Sequence, residues 1–420
     1  MKRRLPHRHH HKKRAERPPQ NSFYHESTDD EIIEEETPGL NPFRMQHMQH
    51  ILSTYELKGI PMDKVLRDHF KMNKSVGSKD RAFIANTVYS LIRHLSLIDY
   101  LLDETPSWVD RLRLFFREDL GALKSDQDIP LHVRACMPEF FFDLLKKQYG
   151  EEKAFSIASV LNEEAPTTIR ANPLRIEREG LLKKIQEHVH AEPTSKSPLG
   201  IVLAKRIDLF SLPEFKAGLF EVQDEASQIA AELVRAKEGD SVLDYCAGSG
   251  GKTLLIAARM QNKGQVYLHD VRPSALSEAK LRLRRAGVQN AQIIQAEDPK
   301  LSKLKKKMDW VLVDAPCSGT GTLRRNPDMK WKIDQALIDR LRGEQRTIFE
   351  SALSFVKEGG YIVYATCSIL DQENEKQVEH FLAKYPVKLA ESFFISLPES
   401  GGMDGFFAAV FKRTGPATKS

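Results

Sequence analysis

"VLDYCAGSGGKTLLIA", Val242 to Ala257, reads as a strand, a glycine-rich turn and a helix in one continuous run. Gly248, Gly250 and Gly251 let the backbone turn tightly and approach a ligand closely. A triphosphate loop would need Gly-x-x-x-x-Gly-Lys-Ser/Thr; Gly251, Lys252 and Thr253 match its end, but its first glycine falls on Cys246. A dinucleotide loop needs three glycines in G-x-G-x-x-G spacing; Gly248 and Gly250 fit, and position 253 is Thr253. A nucleoside cofactor without a pyrophosphate is the third reading. Asp270 follows Gly251 by nineteen residues at the end of the next strand, the place of an acid that takes a ribose diol. Its bland alternative is a helix N-cap before "RPSALSEA". Asp298 follows a third strand, where it could reach an adenine amino group. S-adenosylmethionine supplies the matching parts: a ribose, an adenine and a cationic methionine near acids.

Outward from this turn, strands and helices alternate. Strands are predicted at 241–247, 265–270, 291–296, 309–316, 360–367 and 406–413, with helical stretches such as "SALSEAKLRLRRAG" between them. Such alternation implies an α/β fold with a mainly parallel sheet, and its ligands sit at the carboxyl ends of the strands. Cys246, Asp270, Asp314, Cys317 and Cys367 all fall at such ends.

Upstream the texture differs. Residues 42–150 carry apolar residues at three- and four-residue spacing, which predicts an α-helical domain. Asp80 or Ser78 would cap its long helix; Pro138 and Gly150 would bound another. Residues 151–222 read as a small α+β module, with Arg170, Arg175 and Lys205 as candidate RNA contacts, and 223–413 as the α/β domain. Residues 1–40 open with three Lys and five Arg against one Glu in the first twenty, then place seven acids in 26–36. That is the pattern of a disordered, charged tail.

The bulk numbers exclude some classes. The 420 residues are 41% hydrophobic and 29% charged, with net charge +5, and no apolar run approaches the ~18 residues of a membrane span. The four cysteines form no CxxC pair, so a structural zinc site is not expected, and a reducing cytoplasm fits. The mild positive charge is compatible with RNA.

Two cysteines end apolar runs: Cys317 in "DAPCSGTGTLRRNPDMKW" (Asp314–Trp331) and Cys367 in "YIVYATCS" (Tyr361–Ser368). Methylation of carbon 5 of a pyrimidine gives such a pair a use. A thiolate added to carbon 6 makes carbon 5 nucleophilic, a carboxylate bonds the cytosine edge, and a second cysteine helps release the product. Two small buried hydrophobes would be the alternative reading.

These motifs resemble the RNA 5-methylcytosine methyltransferases of the RsmB/Nop/Sun family, over about residues 160–413. "CAGSGGKT" is similar to that family's cofactor loop and "VQDEASQ" (222–228) to the motif before its core. "SKDRAFIANTVYSLIRHLSLIDYLL" is similar to the NusB-like domain of the RsmB branch. The resemblance implies a Rossmann-like S-adenosylmethionine-dependent core, a NusB-like helical RNA-binding domain and an α+β RNA-binding module. It implies Cys367 as nucleophile, Cys317 in product release, Asp314 on cytosine and Lys252 beside the base. Cys246, Ala247, Gly248, Ser249, Gly250, Gly251, Lys252, Asp270, Asp298 and Asp314 would hold the cofactor; Arg170, Asn172 and Arg175 would contact RNA. Ser249 stands where the family usually has proline. A monomer acting on small-subunit ribosomal RNA, without metal or membrane, is the expectation. A tRNA substrate, or a non-catalytic RNA-binding assembly factor, is the alternative.

Overall fold

The computed structural model describes residues 40–102 and 105–415. The charged tail expected at 1–40 therefore lies outside the described residues, apart from Leu40. Three layers of organisation follow one another along the chain.

The first is helical. Among the described residues it comprises α1 (Pro42–Lys58), α2 (Met62–Met72), α3 (Ser78–Leu101), α4 (Trp108–Arg117), α5 (Leu120–Ser125), α6 (Leu131–Arg134), α7 (Glu139–Tyr149) and α8 (Glu151–Leu161). Met48, Ile51, Leu52, Ile84, Val88, Leu91 and Ile92 recur at helical spacing and are fully buried, which is why these segments pack as helices. The expected cap of α3 is corrected. Gly77 occupies the N-cap position without a side-chain bond, and Asp80 pairs with Arg44 instead. Pro138 and Gly150 do flank α7. Helix α8 packs on α7 in one apolar cluster, so the helical layer runs to Leu161 and past the boundary expected at 150.

The second is a small antiparallel sheet, order β2-β3-β1-β4, from β1 (Thr167–Ala171), β2 (Ala191–Pro193), β3 (Gly200–Leu203) and β4 (Phe220–Val222). Helix α9 (Arg178–Gln186) covers it with Leu181 and Ile185, and the short α10 (Pro213–Lys216) precedes β4.

The third is an eight-stranded sheet. It contains β5 (Ser241–Asp244), β6 (Gln265–Asp270), β7 (Ala291–Gln295), β8 (Met308–Asp314), β9 (Val356–Thr366), β10 (Val387–Leu389), β11 (Phe394–Ser396) and β12 (Phe406–Arg413). The order is β10-β12-β9-β8-β5-β6-β7, with β11 on β12; β5 to β9 are parallel. Helices α11 (Glu225–Glu232), α12 (Gly251–Arg259), α13 (Pro273–Ala286), α14 (Gln335–Leu353) and α15 (Glu375–Lys384) cover the two faces. Asp334 caps α14 through the Leu337 N–H at 2.7 Å, worth about 1 kcal/mol. Phe349 and Phe381 stack at 3.8 Å between α14 and α15; each buried ring is worth roughly 2–3 kcal/mol. Strand order reverses between β5 and β8, so their carboxyl ends diverge and open a crevice there. Strands β10 and β11 were absent from the sequence expectation, being three residues each. No helix among the described residues is long and apolar enough to cross a membrane.

Candidate active site

The crevice at the switch point is a cavity of about 720 Å³, lined by Asp244, Cys246, Gly248, Lys252, Asp270 and Asp314 among others. Ala247, Ser249 and Gly251 also line it. Its floor is the turn between β5 and α12. Gly248 (φ +55) and Gly250 (φ +80) adopt the left-handed conformation that side chains disfavour. The Gly248 N–H donates to Asp270 Oδ2 at 2.8 Å. Asp270 also receives the backbone N–H and the guanidinium of Arg272, each at 2.9 Å. Arg272 is the residue before α13, so Asp270 is not its N-cap.

Asp244 was not among the expected site residues. It is 1% exposed at the end of β5. Thr253 donates to its Oδ2 at 2.6 Å, and its Oδ1 has no hydrogen-bond partner. Burial pushes its carboxyl up to about 7. A buried acceptor without a donor is costly, and a donor arriving with a ligand would satisfy it. Cys246 is pushed up by burial, with the Asp244, Asp314 and Asp270 carboxylates adding to the effect; it is a protonated wall of the cavity. Asp298 does not line the cavity. The chain turns after β7, and Asp298 Oδ1 accepts the Lys300 N–H at 2.9 Å.

A second cavity, about 360 Å³, adjoins the first. Lys252 and Asp314 line both, paired at 2.6 Å. Cys367, Thr322 and Phe406 line the second only, and the Lys252 ammonium lies 4.9 Å from the centre of the Phe406 ring.

The two cysteines meet. Their sulfurs are 3.4 Å apart, although the loops are fifty residues apart in sequence. The hydrogen bond from the Cys317 thiol lowers Cys367 against the opposing effects of burial and the Asp314 carboxylate, with the Lys252 charge and a bond from Thr322 also lowering it. The same bond raises Cys317, with burial and Glu373 acting in the same direction. The contact thus favours ionisation of Cys367 over that of Cys317.

The paired arginines after Cys317 build the wall. Arg324 is buried, bonding Asp404 Oδ1 at 2.5 Å and the Glu399 carbonyl at 2.9 Å. Arg325 ties Asp404 to Asp224. Gly321 donates to the Cys367 carbonyl at 2.9 Å and has no room for a side chain against the Gly405 backbone. Further along, Trp331 donates to the Ile92 carbonyl of α3 at 3.2 Å and Asp328 accepts the Met62 N–H of α2 at 3.2 Å. The loop after Cys317 is therefore pinned to the helical layer.

Arg170 and Asn172 are corrections. Arg170 is 3% exposed; its guanidinium bonds Gln223 and the Gly251 carbonyl. Asn172, also buried, donates to the Gly218 and Ala286 carbonyls at 2.8 and 2.9 Å. Both join the small sheet to the cofactor turn and α13, and neither offers RNA a surface. Arg175 is exposed, although its Nε reaches the Ala286 carbonyl at 3.3 Å. Among the described residues no group of three His, Cys, Asp or Glu side chains could hold a metal ion.

Comparison with known proteins places this geometry. The family "16S rRNA methyltransferase RsmB/F" matches residues 231–412, and its "ferredoxin-like domain" matches residues 137–209. A "Ribosomal RNA small subunit methyltransferase B" of Photorhabdus laumondii is 31% identical over 71% of this chain and 71% of its own. The protein of the same name from Vibrio vulnificus is 35% identical over 65% of this chain and 66% of its own. The crystal structure of a methyltransferase homolog protein from Pyrococcus horikoshii superposes with TM-score 0.59 at 27% identity, over 67% of this chain and 97% of that one.

Proposed function

The chain belongs to the 16S rRNA methyltransferase RsmB/F family, and on that premise we propose that it methylates carbon 5 of a cytosine in small-subunit ribosomal RNA, using S-adenosylmethionine. The observation that carries the chemistry is the Cys317–Cys367 contact of 3.4 Å beside the Lys252–Asp314 pair, where the two cavities join.

The larger cavity fits the cofactor. Its volume suits a nucleoside-sized ligand. The unpartnered Oδ1 of Asp244 can accept from the α-ammonium, and Asp270 can take the ribose diol once the exposed guanidinium of Arg272 swings away. Gly248, Ser249 and Gly251 line its approach. S-adenosylmethionine, when bound, supplies the methyl group to carbon 5.

The protein's own residues do the rest. The Cys367 thiolate adds to carbon 6 of cytosine, and the 5,6 π pair moves onto carbon 5 and the ring. Asp314 accepts from the exocyclic amino edge, and Lys252 balances the charge gathering on the ring. Once Cys367 is bonded to carbon 6, the Cys317 thiol gives its proton to solvent; when carbon 5 carries the methyl group, its proton passes to the Cys317 thiolate, which ends as the thiol it was. The freed pair restores the 5,6 double bond, and the C6–S pair returns to Cys367. The target base must be unstacked to enter the smaller cavity. The NusB-like helical layer and the small sheet with Arg175 and Lys205 grip the RNA. In this reading the acting unit is a monomer at work in the cytoplasm.

The test is to incubate the Cys317→Ala variant with total RNA and cofactor and to run a denaturing gel. A covalent protein–RNA adduct is expected, absent from the Cys317→Ala, Cys367→Ala double variant. Sequencing the trapped RNA names the substrate. Full turnover by Cys367→Ala would refute the assignment of the nucleophile.

A further inference from the structure

The residue that joins the two cysteine loops is neither a cysteine nor part of either cavity lining. It is Glu373, which is 0% exposed and has no ion-pair partner among the described residues. Its Oε1 accepts the Ser318 N–H at 2.9 Å and Gln345 Nε2 at 3.0 Å. Its Oε2 accepts the hydroxyls of Ser318 at 2.5 Å and Ser368 at 2.6 Å. Ser318 follows Cys317, and Ser368 follows Cys367. One carboxylate therefore receives a donor from the residue after each sulfur.

Neighbouring groups complete the clamp. Gln345 also donates to the Pro316 carbonyl at 3.0 Å, so the Pro316–Cys317–Ser318 segment is held on both sides of the sulfur. Asn374 accepts the Thr366 hydroxyl at 2.6 Å and donates to the Ser368 carbonyl at 2.9 Å, which brackets Cys367 in the same way. The phenol of Tyr364 holds the Glu373 carbonyl at 2.7 Å. Burying a carboxylate without a cation is expensive, and two loops could be joined more cheaply by apolar contact. An acceptor-only group with four donors, however, fixes the direction of every bond it takes.

We propose that Glu373 is a positioning residue for the methyl-transfer reaction: its carboxylate sets Cys317 and Cys367 in one geometry, so that Cys317 stays within reach of the Cys367–RNA adduct. This rests on the methyltransferase reading above. Glu373 touches neither RNA nor cofactor, so its effect falls on turnover and adduct resolution and not on binding.

The test compares wild type with Glu373→Gln, whose amide would face two of the donors. Four quantities are measured: kcat, KM for RNA and for S-adenosylmethionine, the adduct fraction on denaturing gels, and the rate at which diamide oxidises the cysteine pair without substrate. In that last reaction the two thiols give two protons and two electrons to the diazene, forming a disulfide and the hydrazine. In Glu373→Gln, kcat is expected to fall by on the order of tenfold to a hundredfold, the scale of a misplaced reacting group. Both KM values should hold, adduct should accumulate, and disulfide formation should slow. Should the glutamine variant not fold, Ser318→Ala and Ser368→Ala each remove one arm and should show the same pattern more weakly. Unchanged kcat, adduct level and oxidation rate would overturn the proposal. So would a loss of kcat matched by the loss of folded protein, without adduct. Should wild type neither methylate RNA nor form adduct, the methyltransferase reading falls, while the oxidation rate still decides whether Glu373 holds the two sulfurs.

Discussion

Replacing Lys330 by methionine tests whether the helical layer and the loop after Cys317 form one structural unit. The Lys330 side chain is buried, and its ammonium donates to the carbonyls of Arg93 at 2.7 Å and Cys136 at 2.6 Å and to Asn162 Oδ1 at 2.7 Å. All three acceptors are neutral. Asn162 is held with its oxygen toward Lys330, because its Nδ2 donates to the Ala135 and Ala158 carbonyls, both at 2.8 Å. Cys136 adopts φ +51, an uncommon conformation for a residue with a side chain. Burial pulls the ammonium down to about 7, with Arg93 and Lys124 acting in the same direction and the Cys136 thiol against them.

The sign follows from proton counting. Between pH 7 and the ordinary lysine value the unfolded chain binds the extra proton, so stability rises with pH across that window. At about 1.4 kcal/mol per pH unit, the rise from pH 7 to pH 9 is at most about 2 kcal/mol. Lys330→Met keeps the apolar stem; at pH 9 the wild-type amine is neutral and has two N–H donors for its three acceptors, so the substitution removes two hydrogen bonds at roughly 1 kcal/mol each. The variant should therefore be less stable than wild type by about 2 kcal/mol at pH 9, and by clearly less at pH 7. Urea unfolding at the two pH values, followed by far-ultraviolet circular dichroism, measures both gaps. The difference between the proteins cancels the other groups that titrate there. Equal gaps at both pH values would refute the titration argument, and equal stability at pH 9 would refute the hydrogen bonds of the neutral amine.

Two further outcomes follow from the cofactor cavity. Asp244 is held up at about 7 by burial, so the folded protein binds the extra proton below that value and stability falls as pH rises toward it. A cationic ligand binds the ionised form, and calorimetry should show S-adenosylmethionine binding tighten as pH rises through 7, up to about tenfold per unit below that point; Asp244→Asn should weaken binding and flatten the profile. Ser249→Pro removes the hydroxyl that Arg282 bonds at 2.5 Å but keeps the carbonyl that Arg282 bonds at 3.2 Å and the Arg282–Glu221 pair at 3.0 Å. Cofactor affinity should change by less than about tenfold, the worth of one partly exposed hydrogen bond, and a larger loss would make the serine hydroxyl essential to the loop.

The parts of the site that were legible in the sequence share one property: each lies at a strand end of the α/β alternation. Cys246, Asp270, Asp314, Cys317 and Cys367 converge because parallel strands share a carboxyl edge, and period and spacing predict that edge without knowing the sheet order. Asp298 follows a strand too, but the chain turns its carboxylate onto its own backbone two residues on, and no spacing rule registers such a turn. The small sheet misled in another way. An arginine in a short alternating strand looks the same whether it faces water or a neighbouring domain. Arg170 faces the Gly251 carbonyl, and only the docking of β1 against α12 decides that.

Glu373 and Lys330 were illegible for a related reason. In "DQENEKQ" an acid reads as a solvated helix start, and in "NPDMKWK" a lysine reads as surface. Their burial is decided by partners far along the chain: Ser318 lies 55 residues from Glu373, and the Arg93 carbonyl 237 residues from Lys330. Both are ionisable groups inside the protein, and both make several hydrogen bonds with separate segments. A buried charge is expensive unless all its bonds are made, so each is satisfied only when those segments arrive together. Read this way, the loop from Cys317 to Trp331 is a strap anchored at both ends. Glu373 fixes its catalytic end to the Cys367 loop, and Lys330 fixes its far end to the helical layer. The loop that carries Cys317, whose sulfur lies 3.4 Å from Cys367, is thus held at both ends by buried polar groups with partners on other segments.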